Sequence, residues 1–255
     1  MAVKIGSARI DENGNAHGGK AGDQTGREVS VQNWYLHSKG WRVFRCKDPE
    51  KAELMAQNMQ AACDNPNIGY DQWQRHTLYK AAEPLGFDVS KVTKNVETDC
   101  SALVRVCCAY AGIKGLPSDF RTGNMPANLA KTGRFVELTG DKYQAKSTYL
   151  RRGDILVTKT NGHTVVVLSD GSRAEKNVPP VAAKPSGKQV RVTGGSVNVR
   201  SAPGTTGTRI LGIVRKGDRL EYQGQSAEIN GTPWYLVVYK GQNAWISGKY
   251  SGVVM

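Results

Sequence analysis

The sequence predicts an α+β domain followed by a small all-β domain. Helical periodicity dominates the chain up to about residue 132, and strand patterns rich in β-branched residues continue to residue 168. Residues 178–187 (VPPVAAKPSG) are rich in Pro, Ala and Lys, a composition typical of an interdomain linker. Beyond them, short strand patterns and Gly-containing turns alternate over about 65 residues, as in a small β-barrel. We therefore expect one domain at 1–177 and another at 188–255.

The first 28 residues are Gly-rich and polar, and they predict a loop rather than regular structure. Residues 14–21 (GNAHGGKA) approach a phosphate-binding P-loop, but alanine replaces the final Ser/Thr and no apolar strand precedes them. We therefore reject a nucleotide site. We expect this loop to line or close over a groove, with backbone donors supplied by residues 19–26.

Helices are predicted in four stretches of the first domain. Asp48 and Pro49 supply an N-cap and an N1 proline, and apolar residues follow at helical spacing. A second helix is predicted from about 71 to 82, a third begins at Cys100, and a short one lies within 122–132. The strands expected after these helices are 135–138, 154–158 and 163–168.

The stretch from Thr98 to Gly112 (TDCSALVRVCCAYAG) places Cys100 in the first turn of a helix. Thr98 and Asp99 are good N-cap types, and Gly112 stands where the helix should end. The unpaired N–H groups and the helix dipole at such a terminus favour thiolate, which is the nucleophilic form of cysteine. The alternative is a small buried core residue, the usual role of a free cysteine, and we expect that role for Cys107, Cys108 or both.

Composition narrows the possible classes of protein. The five cysteines are an odd number and include no CxxC pair, which argues against a disulfide framework and a structural zinc site. No stretch approaches the roughly 20 apolar residues that span a membrane, and no signal peptide is visible, so we expect no transmembrane segment and synthesis in a cytoplasm. The net charge of +13 predicts a polyanionic partner, either nucleic acid or an anionic envelope polymer.

Histidine is the usual base for a cysteine nucleophile, and the chain contains four histidines. His163 opens the strand pattern HTVVVL directly after a turn, so its side chain would be held rigidly and could face a helix terminus packed on the sheet. His17 and His37 lie in polar sequence, where we expect them to be solvated, and His76 lies in the second predicted helix. Taken alone, a histidine such as His163 more often has a structural role.

A third polar group must hold the imidazole of such a base in one tautomer and orientation. If Asp170 and Gly171 form a hairpin turn, the returning strand brings Glu175 and Asn177 toward His163. Asp170 is nearer in sequence but falls in the turn itself. Glu175 and Asn177 could also be solvated positions near the linker, so the residues alone leave this choice open.

The segments ETDCSALVRVCCAYAGI and, about 50 residues later, RRGDILVTKTNGHTVVVL resemble the NlpC-like cell-wall cysteine peptidases and their CHAP relatives. The Asp-Cys-Ser signature of these families falls at residues 99–101, and the Gly-Asp that opens the strand before the histidine falls at Gly153 and Asp154. The resemblance implies a papain-like cysteine peptidase domain, with helices packed on an antiparallel sheet. It places a cysteine at a helix start, a histidine on the sheet and a third polar residue on the next strand.

The same resemblance implies roles for individual residues. Cys100 would be the nucleophile and His163 the base. The third residue would fall on Glu175, and Glu175 with Asn177 fits the Glu-x-Asn pattern of CHAP members. The tyrosine that these families carry a dozen residues before the cysteine is absent, and Tyr70 is the best substitute.

An oxyanion site is implied at the start of the same helix. The backbone N–H of Cys100 would help to hold the oxyanion, with Asp99 or Ser101 shaping that site. No metal and no cofactor is implied.

The C-terminal sequence resembles a bacterial SH3-like cell-wall-binding module. VNVRSAPGTTGTRILGIVRKGDRLEYQGQ and WYLVVYKGQNAWISGKYSGV carry its Asn-Val-Arg-Ser-x-Pro opening, its Lys-Gly-Asp turn, its Trp-Tyr strand and its closing Trp-Ile-Ser. Together the resemblances imply a peptidoglycan hydrolase of the phage endolysin type, which cleaves an amide bond of the wall peptide as an endopeptidase or N-acetylmuramoyl-L-alanine amidase. Its partners would be peptidoglycan and anionic wall polymers rather than nucleic acid, and it would act on the wall after release.

Two other classes stay open. A non-catalytic wall-binding protein would keep the C-terminal domain beside an inactive Cys/His domain. A basic nucleic-acid-binding protein would use the C-terminal β-domain, whose aromatic side chains could stack on bases, although aromatics at strand positions are more often core. The aromatic residues concerned are Trp234, Tyr235, Tyr239 and Trp245.

Overall fold

The structure is a computed structural model, and it describes residues 2–174, 187–205, 208, 210–229, 231–240 and 242–254. The chain divides into two compact units, Met1–Asn177 and Val178–Met255. The linker predicted at residues 178–187 lies almost entirely outside the described residues. Within the described ranges, no helix combines the length and the apolar character needed to cross a membrane.

The first unit contains a six-stranded antiparallel sheet with the strand order β2-β1-β8-β7-β3-β6 and a separate parallel pair, β4-β5. The strands predicted after the helices appear as β6, β7 and β8 within one residue of their predicted bounds, which confirms the α+β class. The eight strands are β1 (Lys4–Ala8), β2 (Val29–Asn33), β3 (Trp41–Cys46), β4 (Ile68–Tyr70), β5 (Val96–Thr98), β6 (Phe135–Leu138), β7 (Ile155–Thr158) and β8 (Thr164–Val167).

Five α-helices belong to the described part of this unit. Helix α1 begins as predicted, because the Asp48 carboxylate accepts hydrogen bonds from the N–H groups of Glu50 (3.0 Å) and Lys51 (3.3 Å). Its buried face includes Met55 and Met59, which join the main hydrophobic core with residues of the sheet and of α3. The helices are α1 (Pro49–Cys63), α2 (Thr77–Ala82), α3 (Cys100–Tyr110), α4 (Met125–Lys131) and α5 (Asp141–Gln144).

The N-terminal segment corrects one prediction. Residues 4–8, expected to be loop, form strand β1, which lies inside the sheet between β2 and β8. Gly6 explains why this stretch resembles a loop in sequence. A Cβ at Gly6 would lie 2.8 Å from the Met59 side chain and 3.0 Å from that of Leu168, so only glycine lets α1 pack this closely on the strand.

The second helix is also shorter than predicted, because α2 begins at Thr77 rather than near residue 71. The Asp71 carboxylate accepts hydrogen bonds from the N–H groups of Trp73 (2.6 Å) and Gly18 (3.1 Å). Asp71 therefore stabilises a turn and holds the N-terminal loop, in competition with helix formation.

The described part of the second unit is an antiparallel sheet of seven strands in the order β11-β10-β14-β13-β12-β9-β15, which confirms its all-β class. Trp234 and Trp245 are 4% and 9% exposed, so they belong to the interior rather than to an open stacking surface. The strands are β9 (Gln189–Val192), β10 (Ser196–Arg200), β11 (Ile210–Arg215), β12 (Arg219–Ile229), β13 (Thr232–Tyr239), β14 (Gln242–Ser247) and β15 (Ser251–Val254).

Candidate active site

Cys100 is the first residue of α3, directly after the short strand β5. The N-cap is Asp99, whose carboxylate accepts the N–H of Ala102 at 2.7 Å and the hydroxyl of Ser101 at 2.9 Å. These two bonds fix the first turn of the helix. Asp99 and Ser101, predicted to shape an oxyanion site, therefore hold the backbone that carries Cys100.

The Cys100 side chain is 7% exposed. Burial raises the pKa of its thiol to about 12, and the negative charge of Asp99 adds to this rise. Hydrogen bonds from the backbone of Thr164 and Ser101 and the charge of Arg75 act in the opposite direction but do not outweigh it. The expectation that the helix terminus favours thiolate is therefore wrong for this resting state, because desolvation exceeds the effect of the N–H groups.

His163 lies directly before Thr164, whose backbone contacts the Cys100 sulfur. Its N–H donates to the Thr158 hydroxyl and its carbonyl accepts the Thr158 N–H, both at 3.0 Å, so the end of the β7-β8 hairpin holds it. Burial, followed by the positive charges of His37 and Arg9, lowers the pKa of His163 to about 4. At neutral pH the His163 imidazole and the Cys100 thiol are therefore both uncharged.

Tyr70 lies close to Cys100 although thirty positions separate them in sequence. The parallel pairing of β4 and β5 puts Tyr70 opposite Thr98, two residues before Cys100. Burial, followed by the negative charge of a Cys100 thiolate, raises the pKa of Tyr70 to about 12. The Tyr70 hydroxyl accepts a hydrogen bond from Gln72 Nε2 at 3.0 Å.

Arg75 is a site residue that the sequence did not predict. Its Nε lies 2.7 Å from Asp99 Oδ2, and its Nη2 donates to the Ser101 hydroxyl at 2.9 Å and to the carbonyl of Phe120. One buried cation thus joins the segment before α2, the N-cap of α3 and the chain that follows α3. A buried arginine of this kind belongs to no motif, so sequence reasoning had no signal for it.

The region after β8 corrects the expected hairpin. Asp170 accepts the N–H of Arg152 at 2.8 Å and lies beyond the end of β8 that is opposite to His163. Residues 171–174 then run beside residues 148–150 instead of returning along β8, with the Gly171 N–H donating to the Leu150 carbonyl at 2.9 Å. The physical reason is that β7 and β1 already occupy the two edges of β8.

Glu175 and Asn177, the predicted third residue and its neighbour, lie outside the described residues. Among the described residues, Ser7 of β1 contacts His163, the predicted base, with its hydroxyl 3.2 Å from Nε2. Sequence reasoning missed Ser7 because it placed this segment in a loop. The alternation of VKIGSARI was the only available signal, and Gly6 interrupts it.

The other histidines have separate environments. His17 is exposed and stacks on Trp73, with ring centroids 3.9 Å apart. His37 packs on Trp41 with centroids 5.2 Å apart and is half-buried rather than solvated. His76 precedes α2 as its N-cap without a side-chain capping bond.

A buried carboxyl group lies three residues before Cys100. Glu97 is fully buried in β5, and burial together with the charge of Glu28 raises its pKa to about 8. Asp71 and Glu12 contribute in the same direction. Gly22 is the nearest backbone donor, but no hydrogen bond of ordinary geometry reaches either oxygen of Glu97. Glu97 is therefore protonated at neutral pH.

The second unit contains a groove of about 570 Å³ at one face of its sheet. Lys249 and Arg200 give it positive charge, the exposed Tyr250 gives it aromatic surface, and the buried Trp234 forms part of its wall. The rest of its lining comes from Ser196, Val197, Asn198, Pro203, Gly204, Thr205, Ile229, Thr232 and Ser247.

Comparison with known families agrees with this division of the chain. The family described as "Endolysin-like domain" matches residues 5–174, and "Bacterial SH3 domain" matches residues 195–251. No curated protein sequence matches the chain. An endolysin-like domain followed by a bacterial SH3 domain suggests cell-wall hydrolase activity and cell-wall binding. The chain belongs to the endolysin-like domain family.

Proposed function

We propose that this protein is a peptidoglycan hydrolase that cleaves an amide bond of the wall peptide through a cysteine nucleophile. The bond lies either between residues of the stem peptide or between muramic acid and L-Ala. The observation that carries the proposal is the position of Cys100 at the start of α3, against Thr164, the residue next to His163. Cys100 and His163 thus lie at the same end of β8, which supports their proposed roles as nucleophile and base.

The proposed reaction starts from the neutral pair. His163 takes the proton of the Cys100 thiol while the sulfur attacks the amide carbonyl, and the N–H of Cys100 stabilises the oxyanion. The imidazolium then gives this proton to the leaving amine, which leaves a thioester on Cys100. Water, deprotonated by His163, attacks the thioester; the acid is released and the thiol recovers its proton. A low pKa keeps His163 available as a base at neutral pH.

The orientation of the imidazole is part of the same proposal. Glu175, with Asn177, is proposed for this role from the resemblance alone, since the described chain after β8 (residues 170–174) lies at the strand end opposite to His163. Ser7 is an additional contact, because its hydroxyl lies 3.2 Å from Nε2. Tyr70 is proposed to border the substrate side of Cys100, since the β4-β5 pairing carries it there.

The second unit is proposed to bind the wall, with peptidoglycan and its anionic polymers as partners. The groove that contains Arg200, Lys249 and Tyr250 offers cationic and aromatic contacts for such a polymer. The net charge of +13 supports an anionic partner. A nucleic-acid-binding surface has weaker support, because Trp234 and Trp245 are largely buried.

The test is digestion of purified peptidoglycan, with the new amino and carboxyl termini identified by mass spectrometry. The wild-type protein should release one kind of new terminus; a new L-Ala amine indicates an amidase, and termini within the stem indicate an endopeptidase. Cys100→Ala should abolish release while wall binding persists. Cys46→Ala, in β3 at the sheet end away from His163, is the matched control and should remain active. Wild-type release by Cys100→Ala would refute the mechanism.

A further inference from the structure

Arg9 directly follows strand β1, which carries Ser7 against His163. Ser7 and Arg9 are two positions apart, so in extended backbone their side chains point to the same face. The backbone pairing continues to Arg9, whose N–H donates to the Glu28 carbonyl at 2.7 Å. Since the Ser7 hydroxyl contacts His163 Nε2, Arg9 projects beside the base.

The charge of Arg9 reaches the groups around the nucleophile. It lowers the pKa of His163, after the larger effects of burial and His37. It also acts on Tyr35, whose pKa is raised by burial and by Cys100 and lowered by Arg9. Arg9 and Cys100 therefore both lie near the Tyr35 side chain.

The guanidinium of Arg9 uses few of its N–H donors within the described part of the chain. Arg9 is exposed, and its Nη1 makes a 3.3 Å hydrogen bond to the hydroxyl of Ser30, which is neutral. Among the described residues no carboxylate forms an ion pair with it; the ion pairs of the described chain involve other cations. An exposed arginine that is held by a strand and lacks an acidic partner is preorganised for a carboxylate from outside the chain.

We propose that Arg9 binds a free carboxylate of the wall peptide next to the amide that is cleaved. This inference rests on the proposed function and adds to it a rule of substrate selection. The planar guanidinium would hold the carboxylate through paired hydrogen bonds and fix the peptide across Cys100 and His163. Peptides in which that carboxylate is amidated would bind more weakly.

The experiment uses the full chain and stem-peptide fragments purified from peptidoglycan, either with free carboxylates or after chemical amidation. For the free acid, Arg9→Ala should raise KM about tenfold or more, with kcat changed less than about twofold. For the amidated fragments, the KM values of wild type and Arg9→Ala should converge. For the free acid, the KM of Arg9→Lys should fall between those of wild type and Arg9→Ala. Lysine keeps the positive charge but loses the paired N–H donors of the guanidinium.

Arg27→Ala is the matched control, since Arg27 is an exposed arginine of the same N-terminal segment, and it should behave as wild type. If Arg9→Ala does not fold, Arg9→Gln takes its place, with folding checked by thermal unfolding. Equal loss on free and amidated fragments, or a loss in kcat alone, would overturn the proposal. Failure of the proposed function is a separate result, because there Cys100→Ala would still release products.

Discussion

The two ends of helix α3 hold cysteines in different surroundings. Cys100 opens the helix, keeps 7% exposure and contacts the backbone of Thr164 beside the candidate base. Cys107 and Cys108, two turns further on, are fully buried, and the Cys108 sulfur lies 3.6 Å from that of Met55. The prediction that the latter pair belongs to the core is confirmed.

Burial raises the pKa of all three thiols, so the amount of thiolate does not distinguish the two ends. What distinguishes them is the neighbour that can take the proton. Cys100 has an imidazole at the same strand end, whereas Cys107 and Cys108 have mainly apolar side chains and other sulfurs around them. Cysteine on this helix is therefore a candidate nucleophile at position 100 and a core residue at positions 107 and 108.

The largest effect should come from substituting Cys100 and Cys107 separately and comparing the two variants. Cys100→Ser should lower turnover of purified peptidoglycan by a factor on the order of 10⁴ or more, with little change in unfolding free energy. Cys107→Ala should leave turnover nearly unchanged and lower the unfolding free energy by about 1–2 kcal/mol, because it creates a small cavity. Turnover and urea unfolding measure the two effects. The reverse pattern would make Cys100 the structural cysteine.

Arg75 offers the next test, because it contacts the Cys100 end of α3 through Asp99 and Ser101. Arg75→Met leaves the buried carboxylate of Asp99 without its ion-pair partner, which should lower the unfolding free energy by about 3–5 kcal/mol. Displacement of the first turn should also reduce kcat by about 10²-fold. Urea unfolding and steady-state kinetics measure these changes.

Two further variants isolate the ion pair. Arg105→Met removes an arginine of α3 that contacts Tyr79 and Leu116 rather than Asp99. Its losses of stability and of kcat should be much smaller. Adding Asp99→Asn to Arg75→Met should restore part of the lost stability, since the uncompensated charge disappears. Equal effects of Arg75→Met and Arg105→Met would mean that the ion pair has no special role.

The pH dependence of activity should reflect a neutral base. His163 must be unprotonated to accept the thiol proton, so activity is lost as pH falls through its folded pKa of about 4. The acid limb of kcat/KM should therefore lie well below the ordinary histidine value of about 6.5. Iodoacetamide should label Cys100 slowly at pH 7 and faster as pH rises, because its pKa is raised. An acid limb near 6.5 would show that burial does not control this imidazole.

Local signals in the sequence predicted the cysteine end of the site well. Asp99 and Cys100 could be placed because capping depends on a few neighbouring residues, and His163 because a strand follows it directly. Ser7 and Arg75 could not be placed in this way. Their roles depend on contacts across 156 and 24 positions, and no periodicity within the chain encodes such pairings.

The expected return strand shows the same limit. A hairpin after Asp170 is reasonable when only β7 and β8 are known, but β1 pairs with the free edge of β8 from the other end of the chain. Gly6 made that strand hard to predict, because the close packing of α1 requires glycine there and glycine is more typical of loops than of strands. The position of Tyr70 near Cys100 likewise depends on a pairing between distant segments, that of β4 with β5.

The smallest effect concerns Glu97, which lies in β5 three residues before Cys100. Its folded pKa of about 8 exceeds the ordinary value of 4.5, so the folded state binds more protons than the unfolded state between those pH values. Stability should then fall as pH rises through this window. From pH 7 to 9 the unfolding free energy should drop by about 1 kcal/mol, because Glu97 of the folded state loses its proton over this range.

Glu97→Gln removes the titrating carboxyl group. Its unfolding free energy, measured by urea unfolding, should therefore not change between pH 7 and 9. This range separates Glu97 from His163, whose lowered pKa makes stability rise with pH between about 4 and 6.5. Glu221→Gln, a carboxyl group of the second unit, is the control and should keep the wild-type slope. A wild-type slope in Glu97→Gln would assign the pH dependence to another carboxyl group, with Glu28 as the first to test, because burial also raises its pKa.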